Sequence, residues 1–165
     1  MRRPYTAESY LALLAAVRAA VPGVAVTTDV IVGFPGETEE EFAASLATVE
    51  AAGFARVHVF PFSARPGTTA AAMPDQVPPG RRKERMERML AAAGRAEQAF
   101  RGAHLGERTT VLWEKPKDGI GQGLTDHYLR VLAPAGAALW NCFSEVDLVG
   151  LAPGGIEGRI VAGLA

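Results

Sequence analysis

One cysteine, Cys142, stands in the 165 residues. A lone thiol forms no internal disulfide and builds no cysteine-based metal site, so no disulfide partner is expected. Histidine is scarce too: His58, His104 and His127 are scattered without ligand spacing, and none is assigned a metal. No apolar run reaches the ~20 residues of a membrane span. The opening MRRPYTAESY is basic, but no apolar h-region of about 7–15 residues follows it, so it does not read as a secretory signal. Charge of one sign is also missing. A net charge of -1 neither demands nor excludes a nucleic-acid partner. No Ser-His-Asp or Cys-His arrangement and no internal repeat stands out. The absences together lead to the expectation of a cytoplasmic protein with no membrane partner.

What is present suits a soluble globular chain, 48% hydrophobic and 21% charged, of one medium domain or one and a half small ones. Tyr10, Leu13, Leu14 and Val17 recur at spacings of three and four, which predicts a helix over Tyr10 to Val21, stopped by Pro22-Gly23. No strand precedes it. Val24 to Gly33 reads as a strand, and its continuous Val30-Ile31-Val32 run is the pattern of a strand covered on both faces. Thr38 and Glu41 have the spacing of a capping box, and Glu39 to Glu41 suit the positive end of a helix dipole. Phe42, Leu46 and Val49 form that helix's buried face, with Gly53 as its C-terminal cap. Arg56 to Phe62 is a second strand. Strand, helix and strand make a βαβ unit with parallel strands and a right-handed crossover. One such unit has two open edges, so residues 1–79 are expected to be the end of a larger α/β domain.

Pro61 to Pro79 reads as a loop, and Gly80 to Gly102 as a long helix with Met86, Met89, Leu90, Ala93 and Phe100 on one face. Residues 81–101 hold seven Lys/Arg against three Glu. This is either a solvated face or a phosphate-facing patch made by Arg81, Arg82, Arg85 and Arg88. From Glu107 onward short β-branched runs take over: Thr109 to Trp113, Tyr128 to Leu132, Val146 to Val149 and Ile160-Val161. Turns at Lys117-Asp118-Gly119, Pro134-Ala135-Gly136 and Pro153-Gly154-Gly155 separate them, which suggests a small barrel or sandwich over residues 107–165. The fold class is therefore α/β followed by all-β.

Two segments, TTDVIVGFPGET (Thr27 to Thr38) and VHVFPFSARPGTTAA (Val57 to Ala71), together resemble the last barrel strands of the radical-SAM methylthiotransferases that modify adenosine 37 of tRNA. MRRPYTAESY looks like that family's stretch after the fourth barrel strand. GLTDHYLRV (Gly123 to Val131) and the later Asn141 resemble the TRAM domain, a small oligonucleotide-binding-like β-barrel that holds tRNA. The resemblance covers nearly the whole chain. It implies the last strands and helices of a partial (β/α) radical-SAM barrel over 1–79, a helical connector over 80–106 and a TRAM-like β-barrel over 107–165. VHVFPFS looks more like the branch acting on threonylcarbamoyladenosine than the isopentenyladenosine branch. The implied reaction is transfer of a methylthio group to C2 of N6-threonylcarbamoyladenosine 37 in the tRNA anticodon loop. The implied cofactors are S-adenosylmethionine and two 4Fe-4S clusters. The family's Cys-x-x-x-Cys-x-x-Cys and three further cysteines have no counterpart here, and cluster iron is held by Cys thiolates. The chain thus reads as a fragment, inactive and without bound cofactor on its own. The alternative is a non-catalytic TRAM-type RNA-binding protein, and the residues leave the two open.

The resemblance also implies a site. The strand ending at Gly33 would pack against the adenine of S-adenosylmethionine. Of the superfamily pattern GxIxGxxE, Ile31 and Gly33 fit, Asp29 stands where the first Gly belongs, and Glu37 falls one place late. The structural alternative is a tight turn feeding a capped helix; a phosphate loop is a poor alternative because GFPGET lacks the Lys and the spacing. Phe60 and Phe62 point to one side of a regular strand, where they flank a flat ligand or fill a core. Ser63 is read as substrate-binding, and Arg65, before Pro66-Gly67-Thr68, as facing the cofactor or substrate cavity or else forming a surface ion pair. In the tail, five Lys/Arg stand against seven Asp/Glu over 107–165, which argues against strong phosphate binding by that part alone. Tyr128 is a candidate to stack on a base, or a core residue, and Arg130 a candidate phosphate contact. Trp113 and Trp140 read as core.

Overall fold

The computed structural model describes residues 4–114, 116, 118–134 and 139–164. The chain divides into two compact units, Met1–Gln98 and Ala99–Ala165. The boundary falls inside a helix.

The first unit opens with α1 (Ala7–Ala20), three residues earlier than the apolar spacing predicts. The early start comes from a capping box of two hydroxyls: Ser9 N–H donates to Thr6 Oγ1 (3.2 Å) and Thr6 N–H to Ser9 Oγ (3.0 Å). β1 (Thr27–Val32) follows, then α2 (Glu39–Ala52). Thr38 Oγ1 accepts from Glu41 N–H at 3.2 Å and Glu41 Oε2 from Thr38 N–H at 2.9 Å, the expected reciprocal pair. Gly53 ends the helix at φ 59°, a left-handed conformation that a side chain would strain. Arg18 Nη2 donates to the carbonyls of Ala52 (2.6 Å) and Gly53 (2.8 Å), partnering two oxygens that a helix end leaves open.

β2 (Arg56–Pro61) lies parallel to β1 with Thr27 opposite Arg56 and Ile31 opposite Phe60, so strand, helix and strand form the expected parallel pair. Leu14, Val32, Phe42, Val49, Phe54, Val57 and Met89 fill the core. The expectation that the Val30–Val32 run is covered on both faces is corrected. Val32 is buried and Val30 half-buried, but Ile31 is 40% exposed and its partner Phe60 50%. Only one face of this two-stranded sheet is packed.

The 61–79 stretch contains a short helix, α3 (Thr69–Ala72), with Thr68 as its cap. α4 (Pro79–Ala103) is the long helix. Met86, Met89 and Ala93 meet the first unit's core, whereas Leu90 is exposed and Phe100 packs in the second unit. The single apolar face expected for the helix is therefore corrected.

The second unit is a closed barrel of β3 (Arg108–Trp113), β4 (Ile120–Leu124), β5 (Arg130–Pro134), β6 (Phe143–Ala152) and β7 (Gly155–Leu164). The order around it is β3-β4-β5-β7-β6. All neighbours are antiparallel except β5 and β7. Trp113, Val131, Val146, Leu148 and Ile156 fill the interior. β4, reading Ile-Gly-Gln-Gly-Leu, has no apolar alternation to announce it. Its Gly123 is required by space: a Cβ there would collide with Val111 Cγ1 and stand 2.7 Å from the Leu112 carbonyl. The Pro153-Gly154 turn joins β6 to β7 as expected, with Ala152 opposite Gly155. The other two expected turns extend onto residues 117, 135 and 136, outside the described residues. Tyr128 lies in the turn before β5 at φ 57°, not in the strand.

Candidate functional site

The C-terminal ends of β1 and β2 lie side by side, so the residues that follow them, Gly33–Glu37 and Phe62–Arg65, are brought together. Such strand ends are where parallel α/β architectures place ligands. Ile31 and Phe60 sit as cross-strand partners on the uncovered face. Phe62 is half-buried and meets Phe34 edge-on at 5.3 Å. Ser63 lines an open groove of about 590 Å³ together with Pro61, Phe62, Arg82, Lys83 and Met86. Arg65 is exposed and outside that groove. Its guanidinium makes no ion pair with any described residue, which corrects the ion-pair alternative.

Gly33 turns at φ 73°. The close approach it allows is to the protein itself: a Cβ would overlap Arg82 Cγ and lie 2.9 Å from Cδ. Its N–H donates to Glu37 Oε2 at 2.7 Å. Glu37 thus closes the turn from within.

The basic patch is largely spent inside the first unit. Arg85, 1% exposed, pairs with Glu37 Oε2 at 2.7 Å and reaches Glu39 Oε2 at 3.4 Å. A guanidinium so enclosed does not face phosphate, and that expectation is corrected. Arg88 Nη1 meets Glu39 Oε1 at 2.6 Å, with its guanidinium 4.7 Å from the Phe42 ring centroid. Arg88 helps hold the Glu39 carboxyl below the usual carboxylate range, first through that hydrogen bond. Arg82 Nη1 donates to the Phe62 carbonyl at 2.9 Å. Arg81 stays exposed, without a partner among the described residues.

On the barrel, Tyr128 is 82% exposed, so its core alternative is corrected. The core reading of Trp113 holds, but Trp140 is 61% exposed. Arg130 Nη1 donates to Gln122 Oε1 at 2.8 Å, joining the outer faces of β4 and β5. On another part of the wall Asp147 accepts from Arg108 Nε at 2.7 Å and Arg159 Nη2 at 2.9 Å. These bonds hold its carboxyl down at about 2. The histidines are less scattered than their spacing suggests. His104 and His127 bring their rings to 5.6 Å between centroids, and His104 Nδ1 lies 2.8 Å from Glu107 Oε2. Separation by 23 positions hid this pair. Among the described residues no group of three or more candidate ligands gathers to hold a metal, and no helix is long and apolar enough to cross a membrane.

The chain aligns almost end to end with tRNA-2-methylthio-N(6)-dimethylallyladenosine synthases. That of Novosphingobium aromaticivorans is 42% identical over 161 residues, covering 97% of this chain and 36% of the relative. That of Erythrobacter litoralis is 39% identical over 166 residues (100% and 37%), and that of Acetivibrio thermocellus 39% over 164 (98% and 34%). The chain is similar to about a third of a tRNA methylthiotransferase. It spans only that share of the curated relatives it matches. No family profile matches it.

Against this similarity the chain's own residues divide the expected cofactors. Ile31 and Phe60 offer two adjacent, uncovered apolar side chains, which fit the flat base of an adenosyl group. Gly33 offers no amide to such a ligand, because Glu37 takes it. An iron-sulfur cluster does not fit these residues: Cys142 is the only thiol.

Proposed function

We propose that this chain is the C-terminal part of an enzyme that transfers a methylthio group to an N6-modified adenosine in the tRNA anticodon loop, at position 37. The observation that carries the reading is the similarity, over 97% of the chain or more, to synthases named for that product class. In this reading residues 1–79 supply the last strands of a radical-SAM barrel, 80–106 a connector and 107–165 a TRAM-like barrel. The names of the relatives favour the dimethylallyl side chain over the threonylcarbamoyl branch toward which VHVFPFS points.

When bound, S-adenosylmethionine and the two clusters supply the radical and the sulfur; the protein supplies positioning and exclusion of water. Ile31 and Phe60 receive the adenine, and Ser63 and Arg65 face the substrate side of the same strand end. Five-stranded oligonucleotide-binding barrels use the face of their second and third strands. Here these are β4 and β5, where Arg130 stands beside Gln122 and the exposed Tyr128 adjoins. Of the cations on α4, Arg81 and Lys83 are the ones left to meet phosphate. An enzyme with these partners works in the cytoplasm.

The test is deletion of the encoding gene followed by mass spectrometry of tRNA nucleosides. Loss of the methylthio group from dimethylallyladenosine supports the relatives' chemistry, and loss from threonylcarbamoyladenosine supports the other branch. No change in either nucleoside overturns the enzymatic reading. The closed barrel with Tyr128 outward favours, as a second reading, a non-catalytic RNA-binding module. It would leave both nucleosides intact while the chain still binds tRNA.

A further inference from the structure

Helix α4 holds the ends of both parallel strands. Glu37 Oε2 accepts two bonds at 2.7 Å, one from Gly33 N–H and one from Arg85 Nη1. The same Nη1 donates to the Glu37 carbonyl at 2.9 Å. One helical turn earlier, Arg82 lays its aliphatic stem over Gly33 and donates to the Phe62 carbonyl at 2.9 Å. Gly36 N–H donates to the Asp75 carbonyl at 2.9 Å. Phe62 N–H, in turn, donates to the Val32 carbonyl at 2.8 Å. The turn after β1 and the peptide after β2 are therefore tied to one helix and to each other.

A buried ion pair is weak support for stability, since apolar residues of similar volume often do as well. What an arginine adds is a rigid planar fork that several oxygens share, a geometry lysine does not reproduce. Arg85 uses it on the Glu37 carbonyl, the Glu37 carboxylate and the Glu39 carboxylate at once. Fixed geometry matters most where a ligand must be received without rearrangement.

We propose that Arg82 and Arg85 are positioning residues. They hold the Gly33–Glu37 turn and the Phe62 peptide, so that Ile31 and Phe60 keep a set spacing and receive the adenosyl base. Neither arginine touches the ligand. The proposal rests on the adenosyl reading given above, and its two halves are separable.

The experiment uses the whole 165-residue chain, amide hydrogen exchange read by NMR, and titration with 5′-deoxyadenosine. In Glu37→Gln and Arg85→Met, exchange at the Gly33 amide should rise about tenfold or more, while Val49 and Val57 keep their protection. Arg82→Ala should release Phe62 in the same way, and it serves if a variant at 37 or 85 does not fold. The nucleoside should shift the Ile31 and Phe60 resonances of the wild-type chain and bind each variant about tenfold more weakly. Unchanged Gly33 exchange in folded Glu37→Gln and Arg85→Met would overturn the tie itself. Faster exchange with undiminished nucleoside binding would overturn the positioning role. No nucleoside shift in the wild-type chain would defeat the adenosyl reading and the ligand half with it, while the exchange data still decide whether the tie exists.

Discussion

Gly158 sits on the inner wall of the barrel in β7, facing β5 and β6. A Cβ built there would collide with Val131 Cγ1 and lie 2.6 Å from Val146 Cγ1, and both valines are fully buried. Its φ is not in the left-handed range, so Gly158→Ala meets a problem of space and not of backbone. Overpacking of this kind costs about 1–3 kcal/mol. Restricting the unfolded chain by replacing glycine offsets about 0.4–1 kcal/mol. The balance is a loss of about 1–2 kcal/mol. For a unit of this size each kcal/mol moves Tm by roughly 4–8 °C, so the midpoint should fall by roughly 4–16 °C. Tryptophan fluorescence is the assay. Both tryptophans, Trp113 and Trp140, lie in the barrel unit, so the signal reports that unit alone. Val131→Ala removes one of the two obstructing side chains. The double variant Val131→Ala/Gly158→Ala should therefore be less destabilised than the sum of the singles by about 0.5 kcal/mol or more. An unchanged or raised midpoint for Gly158→Ala, or strict additivity in the double variant, would refute the steric account.

Thr38→Ala removes the acceptor for Glu41 N–H and should cost the first unit about 0.5–2 kcal/mol, seen as faster amide exchange along α2. Asp147 is held at about 2 in the fold, against an ordinary 3.8, by Arg108 first and then Arg159. Its contribution is fully present above the ordinary value and is lost as pH falls through the folded one, so Asp147→Asn should flatten the acid limb of barrel stability between those values. In a salt titration of tRNA binding, Tyr128→Ala should weaken affinity by about 1–3 kcal/mol without changing the slope. Arg130→Ala should lower the log–log slope by roughly 0.7–0.9; a changed slope for Tyr128 or an unchanged one for Arg130 would reverse their assigned roles.

What was legible in the chain was local. Thr38 and Glu41 are three residues apart and their bonds close within one turn, so residue type and spacing suffice. Gly53 likewise needs only its own backbone. The strand–helix–strand order follows from periodicity and punctuation. Illegible were the features whose cause lies elsewhere in the chain. β4 is a strand through its pairing with β3 and β5, and its residue 123 is glycine because Val111 and Leu112 leave no room for a Cβ, a fact held in β3. Ile31 belongs to an apolar run yet is exposed, because coverage depends on what packs against the sheet, not on the strand itself.

The arginines of α4 show the same limit in electrostatic terms. Counted along the helix, residues 81–101 carry an excess of four positive charges. Three acidic residues from outside the helix oppose them: Glu37 meets Arg85, Glu39 meets Arg85 and Arg88, and Glu50 meets Arg95 at 2.6 Å. Most of the excess is thereby cancelled within the unit. Arg82 is turned to a carbonyl and Arg101 is engaged as well. The cations still outward are Arg81, without a partner among the described residues, and Lys83, whose nearest carboxylate, Glu87, is 3.9 Å away. Two cations contribute at most about 1.4–1.8 to the log–log salt slope for RNA, since each neutralised phosphate adds roughly 0.7–0.9. A helix whose charges formed an open phosphate track would show a contribution several times larger. Changing Arg81 and Lys83 together should therefore remove the whole contribution of α4 to the slope, and a further loss of roughly 0.7–0.9 on adding Arg88→Ala would show a helix that grips RNA and not one whose arginines chiefly pair within the first unit.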